Sequence, residues 1–428
     1  MKEKFIKSTL ILIIGGFLTK ILGMLIKITI NRLLGTEGIG LYMLILPTFM
    51  LFISLSQFGF PIAISKLVAE NNKNSKTIFS SILPISLLIN IILIIIIFSL
   101  SPFLANSLLH ENRIELALFS IALVIPFSTL SNLIRSYFFG KNKMWPHIIS
   151  NIVEDIVRLI LIILFLPNIK HDLENAVRFL IIVNVFSELS SIIVLLFFMP
   201  KGASINRKEL KPNKQYIKET LAISIPNTSS RLLASTSYFL EPIILTSTLL
   251  LVGYNQNYIV TEYGIITGYV LPLVLLPSFF TLAISQALLP VVSYNYTKKN
   301  YKIVKTRLKE AIIFSLIIGS IACICLCVLP ELFLKIIYNT SEGSNYIRIL
   351  APICILQYIE SPLSFTLDAI GKSKYNLRIT VISLILRSSL LFLLSLLKIG
   401  IYSLIISTSI NIVIVTYLSY KYIKKCLN

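Results

Sequence analysis

The chain has 428 residues, 56% of them hydrophobic, and a mean hydropathy of +0.86, which excludes an ordinary soluble globular protein. Its apolar runs of about 20 residues can each cross roughly 30 Å of hydrocarbon as a helix, and the run 82–100 lacks the alternation that membrane barrel strands require. The formal net charge of +20 would indicate nucleic acid binding in a soluble protein. The positive-inside rule accounts for it here without a nucleic acid partner.

Taken in chain order, the apolar runs predict an all-α integral membrane protein with about twelve spans. We expect the first run to be a retained span and not a signal peptide, because no small-residue cleavage site follows it. Alternate loops hold 27 Lys and Arg on one side and 7 on the other. The basic side is cytoplasmic, so both termini are expected in the cytoplasm of a multi-pass cell membrane protein. The predicted spans are 7–30, 41–66, 78–103, 115–138, 147–168, 177–199, 219–250, 261–293, 308–330, 347–370, 377–397 and 400–420.

Matching segments indicate an internal repeat. The segment 5–10 recurs at 216–221, and further short sequence matches follow at corresponding positions of the two halves. The repeat predicts an N-terminal six-helix bundle over 1–205 and a C-terminal six-helix bundle over 206–428. An even number of helices in each half makes the repeats parallel, related by an axis along the membrane normal. In transporters built this way the substrate site is expected near the bilayer midplane, and transport proceeds by alternating access.

Five cationic residues of the predicted spans are candidates for an intramembrane role. Lys20 and Arg231 occupy equivalent positions of the repeat, and so do Arg158 and Arg387 to within two residues. A charge at the bilayer centre costs about 2.5–3.5 kcal/mol on insertion scales, so we expect these four to line a cavity that binds an anionic substrate. Lys27 lies two turns from Lys20 and nearer the outer surface, where it either contacts the substrate or extends to the interface.

Three acidic residues share this depth or lie close to it. Glu154 precedes Arg158 by four residues, the favourable order for an ion pair on a helix face. Glu360 and Arg387 lie at one depth on consecutive helices, and we expect a salt bridge between them. Two roles therefore stay open for Arg158 and Arg387. They either act in packing and gating or contact the substrate directly. Glu188 is the candidate for ion coupling, and we group Glu154 and Glu360 with it as gating or coupling residues.

Enzyme motifs are weak in this chain. Neither Gly-x-Ser-x-Gly nor His-Glu-x-x-His occurs. The run Gly371-Lys372-Ser373 resembles the end of a phosphate-binding loop, but Thr366 stands where that motif needs Gly. The Cys-x-Cys-x-Cys run at 323–327 would lie on different helix faces and is interpreted as small apolar filler. We therefore expect no enzymatic activity, cofactor or metal site.

The segments Thr19–Gly23, Gly35–Tyr42 and Gly59–Lys66 resemble the stage V sporulation protein B and polysaccharide biosynthesis family. This family belongs to the multidrug/oligosaccharidyl-lipid/polysaccharide exporter superfamily, so the resemblance implies a MATE-like fold. In related lipid II flippases, basic residues of the first helix bind the diphosphate, a role that would fall to Lys20 and Lys27. The family usually has fourteen helices, so the twelve predicted spans would lack the last pair.

The resemblance implies a flippase that moves an undecaprenyl-diphosphate-linked sugar to the outer leaflet. Its partners would be lipid II or another lipid-linked oligosaccharide, membrane lipids and a coupling ion, H⁺ or Na⁺. The setting would be cell-wall, spore-cortex or polysaccharide synthesis. Two alternatives stay open: a cation-coupled multidrug exporter of the same fold, which needs a free acidic residue such as Glu188, and a non-transporting scaffold of a peptidoglycan synthesis complex.

Overall fold

Helices form all of the regular secondary structure in the part of the chain that the structure describes. The computed structural model of the chain describes residues 2–70, 75–199 and 213–427. This architecture confirms the all-α membrane class predicted from the apolar runs. The α-helices are α1 (Lys2–Gln57), α2 (Phe60–Glu70), α3 (Ser75–Phe103), α4 (Glu115–Gly140), α5 (Met144–Ile169), α6 (Leu173–Phe197), α7 (Lys214–Leu251), α8 (Gln256–Gly264), α9 (Leu271–Val274), α10 (Ser278–Thr297), α11 (Tyr301–Val328), α12 (Pro330–Tyr338), α13 (Ser344–Ala369), α14 (Ser373–Ser395) and α15 (Tyr402–Leu427).

The long helix α1 is interrupted at Gly35. This residue has φ 69° and ψ −178°, a conformation that glycine adopts easily and residues with a Cβ atom avoid. The predicted spans 7–30 and 41–66 lie on either side of the break. A second break at Phe58 and Gly59, with φ of 43° and 64°, separates α1 from α2. The predicted span 41–66 therefore crosses from the end of α1 into α2.

The predicted span 261–293 is also broken. The run from α8 to α9 ends at Val274, and α10 begins at Ser278 at an angle of 50° to it. Pro277 lies at the break and has no N–H to donate. The Tyr358 hydroxyl of α13 donates to the Val274 carbonyl oxygen at 2.5 Å. This hydrogen bond gives a partner to a buried carbonyl oxygen that has no helical acceptor role at the break.

The number of spans depends on how the breaks are treated. By length and composition, nine helical runs of the described residues could cross a membrane, or ten if the bent pair counts as one span. The α1–α2 run counts once in that total although Gly35 divides it. The helix α5 falls outside the total because Glu154, Asp155 and Arg158 make it too polar. The count of twelve therefore stays a prediction.

Two compact units, Met1–Phe239 and Leu240–Asn428, divide the chain within α7. The boundary predicted from the repeat, between 205 and 206, lies outside the described residues. Each unit has its own buried apolar core. The core of the first unit contains Phe60, Ile64, Leu67, Val68, Ile78, Phe79, Ile82, Leu133, Ile134, Tyr137, Phe138, Ile192 and Leu195. The core of the second contains Leu288, Val292, Val304, Leu308, Ala311, Leu363, Leu367, Ile370, Ile379, Ile423 and Leu427.

The outward face of α3 is strongly apolar. Leu88, Ile91 and Ile95 follow one another at helical spacing and are 58%, 59% and 60% exposed. In water such a face would promote association. In a bilayer, acyl chains cover it at no cost, which is what a membrane-spanning helix requires.

Gly140, the last residue of α4, lies directly against α2. A Cβ atom there would lie 2.7 Å from the Ser65 carbonyl oxygen and 2.8 Å from Val68 Cβ. We expect Gly140→Ala to push α4 and α2 apart and to lower the free energy of unfolding by about 1–3 kcal/mol. Gly23→Ala is the matched control, because a Cβ atom at Gly23 meets no heavy atom within 4 Å. Thermal denaturation in detergent measures both, and an equal effect of the two changes would contradict the close contact.

Candidate functional site

Three of the predicted substrate-binding cations are exposed on their helices. Lys20 and Lys27 lie on one face of α1, seven residues or about 10 Å apart. Arg231 lies on α7 and belongs to the same compact unit, Met1–Phe239. None of the three forms an ion pair with any side chain in the described part of the chain. Their role in substrate binding stays a prediction.

A buried ion network lies where α4, α5 and α6 pack together. At its centre is Glu154 of α5, whose two carboxylate oxygens contact different guanidinium groups. One contacts Nη2 of Arg135 from α4, and the other lies 2.5 Å from Nη2 of Arg158, one turn along α5. The Glu154–Arg158 pair is the one that the spacing predicts. Because Asp155 also lies 3.7 Å from Nη1 of Arg158, the Arg158 charge is balanced within the protein.

Glu188 of α6 is the second carboxylate of this network. Its side chain is 9% exposed, it accepts a hydrogen bond from Ser131 Oγ, and its Oε2 atom lies 3.9 Å from Nη2 of Arg135. Arg135 also donates to Ser191 Oγ of α6 at 2.5 Å. Glu188, which the sequence offers as a free acidic residue, therefore has two polar partners, both on α4.

Arg135 is the residue that sequence reasoning missed. It lies three residues from the end of the predicted span 115–138, so its charge was counted with those of the cytoplasmic loop. A usable signal was present, because Ser128, Ser131 and Arg135 recur at spacings of three and four and so share one helix face. Small hydroxyl residues on such a face let helices approach closely and bond across the interface.

The second unit balances Arg387 with a different carboxylate from the one expected. Nη2 of Arg387 on α14 lies 2.5 Å from Oε2 of Glu241 on α7, in ion-pair contact without the alignment of a hydrogen bond. It also donates to Thr408 Oγ1 of α15 at 3.3 Å. The predicted salt bridge between Glu360 and Arg387 is therefore wrong. The physical reason is that α14 packs mainly against α15 and little against α13, which carries Glu360.

Glu360 becomes the acidic candidate that lacks a counter-charge. It is half-buried on α13 and forms no ion pair with any residue in the described ranges. Among the three acidic candidates, Glu154 and Glu188 belong to the network of the first unit, whereas Glu360 stands apart from the arginine of its own unit. Its proposed gating or coupling role stays a prediction.

Each unit also has a polar contact at the acidic residue of a Thr-Glu pair, Thr36-Glu37 or Thr261-Glu262, that recurs in the two halves of the sequence. In the first unit, Arg113 lies 2.6 Å from Glu37, just beyond the break in α1, and 2.7 Å from Glu111. In the second unit, the Tyr346 hydroxyl at the start of α13 donates to Glu262 of α8 at 2.6 Å. The two acidic residues that match in sequence thus hold the start of a later helix in each unit.

These helices and buried charges describe a multi-pass membrane protein, and comparison with known families identifies its class. The model of the polysaccharide biosynthesis protein family matches residues 5–295, and the MatE family model matches residues 237–393. Since the first match covers more than half of the chain, this protein belongs to the polysaccharide biosynthesis protein family of the multidrug/oligosaccharidyl-lipid/polysaccharide exporter superfamily. The family resemblance noted in the sequence is thereby confirmed.

Curated relatives from Bacillus subtilis (strain 168) agree with this family. Stage V sporulation protein B is 32% identical over 408 residues, which cover 92% of this chain and 78% of that protein. Sporulation protein YkvU is 26% identical over 440 residues, which cover 99% of this chain and 96% of that protein. Lipid II flippase MurJ is 23% identical over 435 residues, which cover 90% of this chain and 76% of that protein.

Solved structures establish the fold. An inward-facing MATE-family multidrug resistance transporter of the MOP superfamily aligns with a TM-score of 0.77 and 16% identity, covering 96% of this chain and 94% of that one. Lipid II flippase MurJ in an inward closed conformation aligns with a TM-score of 0.72 and 16% identity, covering 96% and 87%. At these identities the likeness supports the MATE-like fold alone.

The buried network makes a prediction for stability. Glu154→Gln removes the carboxylate that Arg135 and Arg158 share, and we expect a loss of about 3–5 kcal/mol in the free energy of unfolding, because two guanidinium groups lose a buried partner. Glu310→Gln is the matched control, since the Arg307–Glu310 pair is about half exposed and such pairs contribute about 0–1 kcal/mol. Denaturant unfolding in detergent measures both. Similar losses for the two variants would contradict a structural role for Glu154.

The corrected pairing in the second unit is tested in the same way. We expect Glu241→Gln to destabilise the protein clearly, because it leaves the Arg387 guanidinium without its carboxylate. We expect Glu360→Gln to leave stability unchanged or slightly raised, because it removes a buried charge that has no partner. A comparison of their melting temperatures in detergent decides between the two carboxylates. A larger fall in melting temperature for Glu360→Gln than for Glu241→Gln would support the Glu360–Arg387 pair that the sequence predicts.

Proposed function

We propose that this protein is a flippase that carries an undecaprenyl-diphosphate-linked sugar from the inner to the outer leaflet of the cell membrane. The observation that carries the proposal is the division among its intramembrane cations. Arg135, Arg158 and Arg387 have carboxylate partners within their own units. Lys20 and Arg231 have none among the described side chains.

The unpaired cations call for an anionic ligand on physical grounds. A cation near the centre of the bilayer costs about 2.5–3.5 kcal/mol on insertion scales. A counter-charge bound beside it offsets that cost. Phosphate groups form strong charge-assisted hydrogen bonds with Lys and Arg. Lys20 and Arg231 are therefore proposed to bind the diphosphate, with Lys27 as an auxiliary contact about two turns further along α1. Arg158 and Arg387 are proposed to act in packing and gating.

The relatives support the substrate class. One is named a lipid II flippase, and the matched family is described as polysaccharide biosynthesis proteins. For this chain, lipid II or a related lipid-linked oligosaccharide is accordingly the proposed substrate, in cell-wall, spore-cortex or polysaccharide synthesis. We propose alternating access by the repeat halves 1–205 and 206–428, in a transporter and not an enzyme.

The membrane potential favours the proposed direction. The excess of Lys and Arg in alternate loops supports a cytoplasmic location for both termini. Moving a negative charge outward across an inside-negative membrane releases about 2.3 kcal/mol per charge per 100 mV. A diphosphate headgroup therefore travels outward with the electrical field.

A cation-coupled multidrug exporter is the second candidate. The MatE match over residues 237–393 and the uncompensated carboxylate of Glu360 both favour it. A cationic drug would bind Glu360 directly, with H⁺ or Na⁺ as the competing ion. This candidate expects drug efflux that Glu360→Gln abolishes and that Lys20→Glu leaves intact.

The test is lipid II translocation by the protein reconstituted in proteoliposomes. A charge-assisted hydrogen bond contributes about 1.5–3 kcal/mol, so Lys20→Glu and Arg231→Glu are each expected to slow flipping by roughly tenfold to a hundredfold. Lys20→Arg keeps the charge and is expected to retain most of the rate. Lys421→Glu, an exposed charge reversal at the end of α15, is the matched control. Unchanged flipping in both charge-reversal variants would refute the proposed site.

A further inference from the structure

The ion network of α4, α5 and α6 contains more carboxylates than guanidinium groups. Arg135 and Arg158 supply two positive charges, whereas Glu154, Asp155 and Glu188 supply three negative charges. The side chains of these five residues are between 9% and 23% exposed. A buried carboxylate without a counter-charge is costly, and such a group usually becomes neutral by binding a proton. The network therefore has room for one proton.

The contacts single out Glu188 as the carboxylate that takes this proton. Glu154 contacts both guanidinium groups, and Asp155 lies 3.7 Å from Nη1 of Arg158. Glu188 has only a 3.9 Å approach to Nη2 of Arg135, an atom that already contacts Glu154. The Glu154 charge also repels a negative charge on Glu188. Glu188 is thus both the least exposed and the least compensated of the three.

Other titratable groups around α6 do not alter this choice. Tyr42 of α1 lies near Arg158, and His147 of α5 lies near Arg135. In the 3₁₀ turn Asn112–Ile114, which also packs on α6, Arg113 pairs with Glu111 and with Glu37. The charges acting on Glu188 come from Arg135, Glu154 and Arg158.

The hydroxyl group of Ser131 can serve both protonation states of Glu188. Its single hydrogen has two acceptors within reach, Glu188 Oε2 and the Ser128 carbonyl oxygen at 3.2 Å. When Glu188 is ionised, Ser131 donates to the carboxylate. When Glu188 is protonated, the acid O–H donates to Ser131 Oγ, and Ser131 turns its own hydrogen to Ser128. A proton can therefore enter or leave without breaking the packing of α4 against α6.

We propose that Glu188, with Ser131 and Arg135, forms a proton-binding site within the first unit. One proton binds to a carboxylate oxygen of Glu188 and leaves from the same atom, with no other bond formed or broken. The site itself is independent of the substrate. Its use as the coupling site for export rests on the proposed function, and there it assigns H⁺ as the coupling ion.

Infrared spectroscopy of the protein in lipid nanodiscs tests the site directly. We expect the carbonyl stretch of a protonated carboxylic acid in the wild type, weakening as pH is raised, absent in Glu188→Gln and retained in Glu310→Gln, whose exposed carboxylate lies outside the network. Ser131→Ala keeps the acid but removes its hydrogen-bond acceptor, so it should shift the frequency of the band. A folding defect alone would not produce that shift. A band that persists in Glu188→Gln, that disappears in Glu310→Gln, or that is missing from the wild type at every pH would overturn the proposal.

Lipid II flipping as a function of pH separates this proposal from the proposed function. Glu188→Gln resembles the protonated state permanently, so its flipping rate should lose the pH dependence of the wild type, whereas Glu310→Gln, in the exposed Arg307–Glu310 pair, should keep it. If the infrared band titrates but no lipid is flipped, the proposed function fails and the proton site stands. If lipid is flipped but the band is absent, the proton site fails and the proposed function stands.

Discussion

The cost of an uncompensated charge in hydrocarbon is the constraint on which this structure depends. Several kcal/mol are lost for each ion removed from water, and close opposite charges must recover them. The first unit meets this constraint with Glu154, which bridges two arginines from different helices. The second unit meets it with Glu241 and Arg387. Pairing within a unit makes these charges part of the packing that holds the helices together.

The same constraint separates the charges proposed to bind a ligand from those that are paired within the protein. Lys20, Lys27 and Arg231 are exposed and have no carboxylate partner among the described side chains. A diphosphate headgroup carries the opposite charge and would stabilise them when bound. Residue type and depth alone do not distinguish the five intramembrane cations, because they do not show whether a neighbouring helix supplies a carboxylate. The ion pairs divide them into two groups with different proposed roles.

Features set by local sequence could be predicted, whereas those set by helix packing could not. The apolar runs predict the all-α class, and the four-residue spacing predicts the Glu154–Arg158 pair, because both depend on one helix at a time. The Arg387–Glu241 pair joins residues 146 positions apart on α14 and α7, and no periodicity relates them. Arg135 was hidden by its place near a helix end, and the breaks at Gly35 and Pro277 depend on backbone conformations that composition does not report.

Direct binding of the lipid tests the central claim, that Lys20 and Arg231 are unpaired because a diphosphate pairs them. The measurement is native mass spectrometry of the detergent-solubilised protein with undecaprenyl diphosphate, and with undecaprenol as the uncharged comparison. We expect the wild type to retain the diphosphate and not the alcohol, and the double variant Lys20→Gln, Arg231→Gln to lose that preference while remaining folded. Equal retention of the diphosphate by the wild type and the double variant would contradict the account.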